Sequence, residues 1–304
     1  MDGSSSDTRG PDEADRRAGP LGTATWRMPP ALRRLTWLAI LVLGVVSYVV
    51  VLDTMVGTEN INFFPSLLLI GSITVPMSVL VFADEGGRVP PIRVPLVAFV
   101  AIVGGIAGTV TAGLLEYDAL RRLGALPMIT VGLVEEAAKL LVPFLVFLVV
   151  RPHDPRPGVV IGIASGMGFA TLETMGYGFQ TLLAARSIAA VDDTLLLRAL
   201  LSPACHIAWT GMTVAMLWRI PSARRRGRAL LAFVGTFLAA VVLHVLWDGS
   251  TSTVVHVVVA TAGVVVLLWF VHVAHRRTPR RAQPVAAPVA VPGAVPGAEG
   301  YGVA

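Results

Sequence analysis

Long runs of apolar residues recur along most of this chain, and short segments that carry most of the charges separate them. A helix needs about 20 apolar residues to cross the hydrocarbon core of a bilayer, which is about 30 Å thick. Windows of that size occur at 36–53, 63–83, 97–116, 126–150, 158–179, 198–218, 229–248 and 253–273. The pattern therefore predicts an all-α fold, a polytopic membrane bundle of about eight transmembrane helices.

The composition supports a membrane protein rather than a soluble domain. Hydrophobic residues make up 55% of the chain and charged residues only 14%, whereas soluble domains carry about 25% charged residues. Cys205 is the single cysteine, so the chain cannot form an intramolecular disulfide framework. We expect Cys205 to behave as a small apolar residue within a helix.

The placement of arginine predicts the orientation, because positively charged loops are retained on the cytoplasmic side. With the N-terminus inside, the arginines of 27–34, 88–93, 151–156, 219–228 and 276–281 lie on that side. The opposite side carries only Arg121, Arg122, Arg186 and Arg198. We therefore expect both termini in the cytoplasm of a multi-pass membrane protein. The basic charge then lies beside the lipid bilayer, and no nucleic-acid partner is expected.

Three regions are predicted along the chain. Residues 1–34 lack the apolar stretch and cleavage site of a removed signal peptide, and we expect a disordered cytoplasmic segment there. Residues 35–275 form the eight-helix transmembrane domain. Residues 276–304 are rich in Pro, Ala, Val and Gly, a composition that predicts a disordered cytoplasmic tail.

Ionisable residues inside the predicted spans are the candidates for function. Each acid or lysine at mid-span costs about 2.5–3.5 kcal/mol on insertion scales, so such residues need partners and a reason to be there. They are Glu135, Glu136 and Lys139 in the fourth span, Glu173 in the fifth, His206 in the sixth, and His244 in the seventh, with Asp248 at its end. Because the spans alternate in direction, all of these residues are expected in the outer half of the bilayer.

Lys139 is the only lysine in the chain, and it follows Glu135 and Glu136 by one helical turn. Its ammonium is therefore predicted to point at both carboxylates. The two glutamates diverge by about 100° around the helix, so one can face a reaction site while the other faces a neighbouring helix. The alternative interpretation is a buried ion pair that only fixes helix registry.

The fifth span has small residues at intervals of four, which lets helix backbones approach closely. These are Gly158, Gly162, Gly166 and Ala170. Glu173 lies seven residues after Gly166, within about 20° of the same face, so it is predicted to point into the bundle. The sixth span places Ser202, His206, Thr210 and Thr213 in one polar stripe.

Glutamate and histidine in a restricted aqueous cavity can activate water toward an amide. The carboxylate takes the proton, and a histidine stabilises the oxyanion or protonates the leaving amine. Asp248 is expected to orient His244 through a ring nitrogen. The chain has no Gly-Xaa-Ser-Xaa-Gly and no His-Glu-Xaa-Xaa-His motif, so serine nucleophiles and the common zinc helix lack support.

Four motifs occur in order on successive predicted spans. They are Glu135-Glu136-Ala137-Ala138-Lys139, Phe169-Ala170-Thr171-Leu172-Glu173, His206, and His244-Val245-Leu246-Trp247-Asp248. Over about residues 35–275 this set resembles the PrsW family of intramembrane proteases. It resembles more distantly the clan that includes the prenyl-protein endopeptidases and bacteriocin-processing membrane proteins.

The resemblance implies an intramembrane endopeptidase of the bacterial cytoplasmic membrane. It implies cleavage of a single-span membrane protein near the extracytoplasmic face, such as first-site proteolysis of an anti-sigma factor in signalling. In the wider clan the first glutamate of the pair activates water, a role that falls on Glu135. Glu136, Glu173, His206, His244 and Asp248 complete the implied catalytic set, which Lys139 and Phe169 support.

Metal dependence stays open at the level of sequence. The favoured interpretation is a glutamate-type hydrolysis that requires no cofactor. The alternative is a metalloprotease in which Glu173, His206 and His244 bind a divalent metal such as zinc. The wider clan has histidine and asparagine at the positions where this chain has Glu173 and Asp248. The identity of the residue that donates a hydrogen bond to the oxyanion therefore stays open.

Two other functions are compatible with intramembrane acids and histidines. A proton-coupled transporter would use them as an ion path, although the two halves of the chain show no inverted repeat. An inactive member of the same fold would act as a membrane scaffold.

Overall fold

The computed structural model describes residues 34–85, 94–152 and 154–276, together with residue 32. Within these ranges the chain forms α-helices and two short 3₁₀ turns, without a strand. The helices are α1 Thr36–Gly57, α2 Phe64–Glu85, α3 Val94–Leu123, α4 Met128–Val150, α5 Pro157–Ala185, α6 Ile188–Leu201, α7 His206–Arg219, α8 Arg226–Gly249 and α9 Thr253–Arg276. The predicted tails, 1–34 and 276–304, lie almost entirely outside the described residues.

Seven stretches of the described chain are long and apolar enough to cross a membrane. One of them, Ile188–Arg219, consists of α6, the 3₁₀ turn Ser202–Ala204 and α7 together. The remaining predicted span is α4, which has 23 residues but contains Glu135, Glu136 and Lys139. The protein is therefore a polytopic helical membrane bundle, as the sequence predicts.

The sixth predicted span, 198–218, is not the continuous helix that its hydropathy indicates. α6 ends at Leu201, and α7 begins only at His206. Pro203 lacks a backbone N–H and its ring crowds the carbonyl four residues earlier, which disfavours a continuous helix here, although α2 and α4 continue through Pro76 and Pro143. Cys205, with φ −109° and ψ −106°, connects the turn to α7 outside helical geometry.

α5 is the central helix, and its predicted small-residue face packs directly on α7. A Cβ added at Gly162 would lie 2.6 Å from the Thr210 carbonyl oxygen, and one added at Gly166 would lie 2.6 Å from that of His206. Such approach is possible only without a side chain, which confirms the predicted role of this face. The main apolar core surrounds the α5–α7 contact and includes the fully buried Trp209.

The break between α6 and α7 is also contacted from the opposite side. α9 brings Gly263 against Ala204, and a Cβ at Gly263 would lie 1.8 Å from the Ala204 carbonyl oxygen. The break is therefore held between two glycines, Gly166 of α5 and Gly263 of α9. Since neither contact leaves room for a side chain, the backbone at this break has one closely defined position.

Candidate active site

The charged residues of α4 form a buried cluster. Lys139 is fully buried, and its Nζ lies 3.2 Å from Glu135 Oε2 and 2.8 Å from Glu136 Oε1. The predicted pairing of one ammonium with both carboxylates is therefore confirmed. The ring of Phe169 lies under the ammonium, with Nζ 4.4 Å from its centroid, so this aromatic ring also contacts the cation.

The two glutamates have different surroundings. The Glu136 side chain is 2% exposed, and its Oε1 contacts both Lys139 and His244 Nδ1, the latter at 2.9 Å. The Glu135 side chain is 10% exposed, and its Oε2 lies 3.6 Å from His244 Nε2. Glu136 therefore has contacts on two sides in the interior, whereas Glu135 is the more exposed of the two carboxylates.

His206, the first residue of α7, connects the α4 cluster to α5. Its Nδ1 lies 2.8 Å from Lys139 Nζ, and its Nε2 lies 3.0 Å from Glu173 Oε2. An ammonium group can only donate hydrogen bonds, so Nδ1 accepts from Lys139 and the ring proton lies on Nε2, which faces Glu173. These contacts select one tautomer of the ring and fix its orientation.

Glu173 points into the bundle, as its place on α5 predicts, and it has a second partner. Arg198 of α6 lies with Nη2 2.9 Å from Glu173 Oε2, and its guanidinium stacks on Tyr177 at 3.9 Å. The sequence analysis counted Arg198 only as an arginine of the outer side. Arg198 precedes Ser202 by four positions and His206 by eight, which places it on the predicted polar stripe. This spacing could have identified Arg198 as a residue of the site.

His244 is buried between carboxylates of two helices. Its Nε2 lies 2.9 Å from Asp248 Oδ2, and its Nδ1 faces Glu136. The predicted contact of Asp248 with a ring nitrogen is therefore confirmed, while Asp248 itself is 40% exposed. The imidazole can donate to both carboxylates at once only in its protonated form.

Trp209 is a residue of the site that sequence analysis did not identify. Its ring is fully buried, 5.8 Å from the His206 ring and 5.4 Å from the His244 ring between centroids. A buried indole beside both imidazoles excludes water from the side of each ring that faces it. Electrostatic interactions are stronger where water is excluded. The sequence does not distinguish Trp209 from the other apolar residues of its predicted span.

One group of three side chains could hold a metal ion. Glu135, His206 and His244 each offer one ligand atom, and these atoms lie within 4.8 Å of one another. The sequence predicts Glu173, and not Glu135, as the possible carboxylate ligand, but Glu173 contacts the His206 ring at Nε2. One carboxylate and two histidines are a ligand set of catalytic zinc sites.

The donor residues and their second contacts fit a divalent cation, although groups of the network already contact the donor atoms. Glu173 on His206 and Asp248 on His244 provide the carboxylate partners that usually orient metal-binding histidines. Lys139 Nζ, however, contacts Glu135 Oε2 and His206 Nδ1. Both ring nitrogens of His206 and of His244 also face a charged side chain, so a metal ion would displace one contact at each histidine.

A cavity of about 510 Å³ adjoins this network. His206, Arg198 and Thr174 belong to its lining, together with Trp247, which precedes Asp248. His206 is therefore shared by the cavity and the buried charges. An arrangement of a partly accessible carboxylate, two oriented histidines and an adjoining cavity is suited to activating water for hydrolysis.

A comparison with protein-family models matches residues 92–274 to the family described as PrsW family intramembrane metalloprotease. The match extends from the start of α3 to the last turns of α9 and includes every residue of the site described above. No curated protein and no solved structure matches the chain.

Proposed function

The chain belongs to the PrsW family of intramembrane metalloproteases, and from this premise we propose that it hydrolyses peptide bonds of membrane-anchored proteins. The observation that carries the proposal is the buried network in which Lys139 joins Glu135, Glu136 and His206. With Glu173, Arg198 and His244, five helices contribute to this network. Placing several charges inside a membrane bundle costs free energy, and such charges are typical of a functional site.

Glu135 is the proposed general base. Its carboxylate is more accessible than that of Glu136 and lies beside His206 and His244. A water molecule bound to Glu135 loses a proton to the carboxylate as its oxygen attacks the scissile carbonyl carbon. The proton then passes to the leaving nitrogen as the C–N bond breaks, so one water yields a carboxylate and an amine.

The remaining residues position the reacting groups. Glu173, itself paired with Arg198, holds the His206 ring, and Glu136 and Asp248 hold the His244 ring. A divalent cation bound by Glu135, His206 and His244 would act as a Lewis acid on the scissile carbonyl. With or without it, the fixed rings favour one placement of the reacting groups, which lowers the entropic part of the barrier.

The proposed substrate is a single-span membrane protein, cleaved near the extracytoplasmic face of the bacterial cytoplasmic membrane. The arginine distribution supports this side, because it predicts that α4 begins at the outer surface. Glu135 follows the first residue of α4 by seven positions, or about 10 Å along the helix. An anti-sigma factor is the substrate type that the family resemblance suggests.

The test is cleavage of a model single-span substrate by purified protein in detergent. Glu135→Gln keeps the side-chain size but cannot accept a proton from water, so we expect cleavage to fall by at least 100-fold. Glu59→Gln, at an exposed turn outside the site, is the matched control and should cleave as wild type. Full activity of Glu135→Gln would contradict the role of this carboxylate.

The same assay decides between the two mechanisms. Cleavage that is lost with a chelator and restored by zinc would make Glu135, His206 and His244 metal ligands. Cleavage that persists with a chelator, with no metal in the purified protein, would support a glutamate-type hydrolysis.

A further inference from the structure

The break before α7 leaves backbone donors without partners inside the membrane. Cys205 provides no side-chain cap for α7. Among the described residues, no acceptor contacts the backbone N–H groups of His206, Ile207 and Ala208. The first N–H groups of a helix carry partial positive charge and attract an oxygen atom that bears negative charge.

A buried side chain at the same place also lacks a partner. Ser202 is 5% exposed, and its Oγ has no hydrogen-bond partner within the described part of the chain. Buried hydroxyl groups are almost always hydrogen-bonded, so an unpaired one calls for an explanation. A ligand that supplies an acceptor oxygen would satisfy both Ser202 and the free N–H groups of α7.

Ser202 and His206, the first residue of α7, both line the cavity of about 510 Å³. Beside Ser202, Cys205 and His206, its polar lining includes Thr174, Arg198, Thr253 and His256. The apolar part of its walls includes Leu197 and Leu201 of α6 and Val257 and Ala260 of α9. Apolar walls around a row of hydrogen-bond donors suit an extended peptide with an apolar side chain beside the bound carbonyl.

We propose that the break between α6 and α7 is the subsite that binds the scissile peptide group. The Ser202 hydroxyl and the first N–H groups of α7 donate to the scissile carbonyl oxygen. When water adds to the carbonyl carbon, that oxygen becomes an oxyanion, and the same donors stabilise it. This inference rests on the proposed proteolytic function and assigns the oxyanion donors that the sequence left open.

The rigidity of the break supports this assignment. Donors that are fixed in advance stabilise a developing charge without reorganisation at the moment of reaction. Gly166 and Gly263 hold the backbone from both sides without room for a side chain. His206 is both the first residue of α7 and a partner of Lys139 and Glu173, so the donors and the network share one residue.

The first test compares two serine variants in the cleavage assay. Ser202→Ala should lower kcat about 100-fold with little change in KM, because the donor acts mainly in the transition state. Ser72→Ala is the matched control: Ser72 is also buried with an unpaired hydroxyl, but it lies on α2 and does not line the cavity. Unchanged kcat in Ser202→Ala, or equal losses in both variants, would overturn the assignment.

The second test uses Cys205, the only cysteine of the chain, as a reporter in the cavity. Full-length Glu135→Gln protein is mixed under oxidising conditions with substrates that carry one cysteine at successive positions. Disulfide formation should peak within about two residues of the cleaved bond, since the disulfide requires Cα atoms within about 7 Å. Cys205→Ala in the same background is the control.

The results separate the two proposals. If the wild type cleaves the substrate but Cys205 forms no disulfide near the cleaved bond, the subsite is wrong and the proteolytic function stands. If the wild type cleaves no single-span substrate, the proposed function fails, and the subsite fails with it.

Discussion

Lys139 is the buried cation that pairs with the carboxylates of α4. It is fully buried, and its ammonium contacts Glu135, Glu136 and His206 while its backbone carbonyl accepts a hydrogen bond from Ser165 at 2.7 Å. Burial of two carboxylates in a membrane is tolerable because this ammonium lies between them. Lys139 is therefore the countercharge on which the rest of the network depends.

Replacing Lys139 by Met should destabilise the protein even though the volume is nearly conserved. The change leaves two buried carboxylates without their cation, and breaking a buried pair in this way costs about 3–5 kcal/mol. Thermal unfolding in detergent should show a clearly lower midpoint. Arg225→Met, at an exposed position before α8, is the control, and a Lys139→Met midpoint equal to that of wild type would contradict the ion-paired network.

At the same scale, the candidate site residues that can be predicted from the sequence are those whose charge is energetically unfavourable in an apolar span. Glu135, Glu136, Glu173, His206 and His244 stand out because charges are rare inside apolar spans. Trp209 was not predicted, because an apolar residue is energetically favourable in an apolar span and nothing distinguishes it from its neighbours in the sequence. Which glutamate is the more accessible one also depends on neighbours from other helices, and those contacts are not encoded in local spacing.

At the scale of elements, the contact between α5 and α7 positions the site. α5 carries Glu173 and α7 begins with His206, so the distance between these helices sets the distance between their side chains. The small residues of α5 allow its backbone to lie directly on α7. The interval of four in the sequence was sufficient to predict this face, because an α-helix aligns such positions.

Gly162→Ala should separate α5 from α7. The added Cβ would lie 2.6 Å from the Thr210 carbonyl oxygen and 2.8 Å from the Gly211 Cα, both of which are backbone atoms that cannot turn away. We expect a loss of about 1–3 kcal/mol in stability from overpacking, and a lower cleavage rate because Glu173 and His206 move apart.

The matched control is on the same helix. Gly176→Ala meets no atom within 4 Å, so thermal unfolding and cleavage should both stay close to wild type or improve slightly through helix propensity. Equal effects of the two substitutions would mean that helix propensity, and not the α5–α7 contact, governs the result.

At the scale of the whole molecule, the orientation in the membrane decides which side the site faces. Both termini are predicted in the cytoplasm from the arginine distribution. This prediction places the turn between α8 and α9 outside and the turn between α7 and α8 inside. The proposed cleavage near the extracytoplasmic face depends on it.

Cysteine labelling tests this orientation in a Cys205→Ala background. Ser252→Cys lies in the turn after α8, and Ser222→Cys lies in the turn after α7; both positions are exposed. A membrane-impermeant maleimide applied to intact cells should label Ser252→Cys and leave Ser222→Cys unlabelled until the membrane is opened. The reverse pattern would invert the predicted topology and place the site at the cytoplasmic face.

The sequence by itself determined the class of fold, most of the spans and most of the residues that the structure brings together in the candidate site. Apolar length and helical spacing are local properties, and a charge inside an apolar span is visible without any knowledge of its partners. The tertiary structure decided the break before His206, the entry of Arg198 and Trp209 into the site, and the grouping of Glu135 with His206 and His244. These features depend on which helices become neighbours and how closely their backbones approach, and side-chain packing between distant segments determines both.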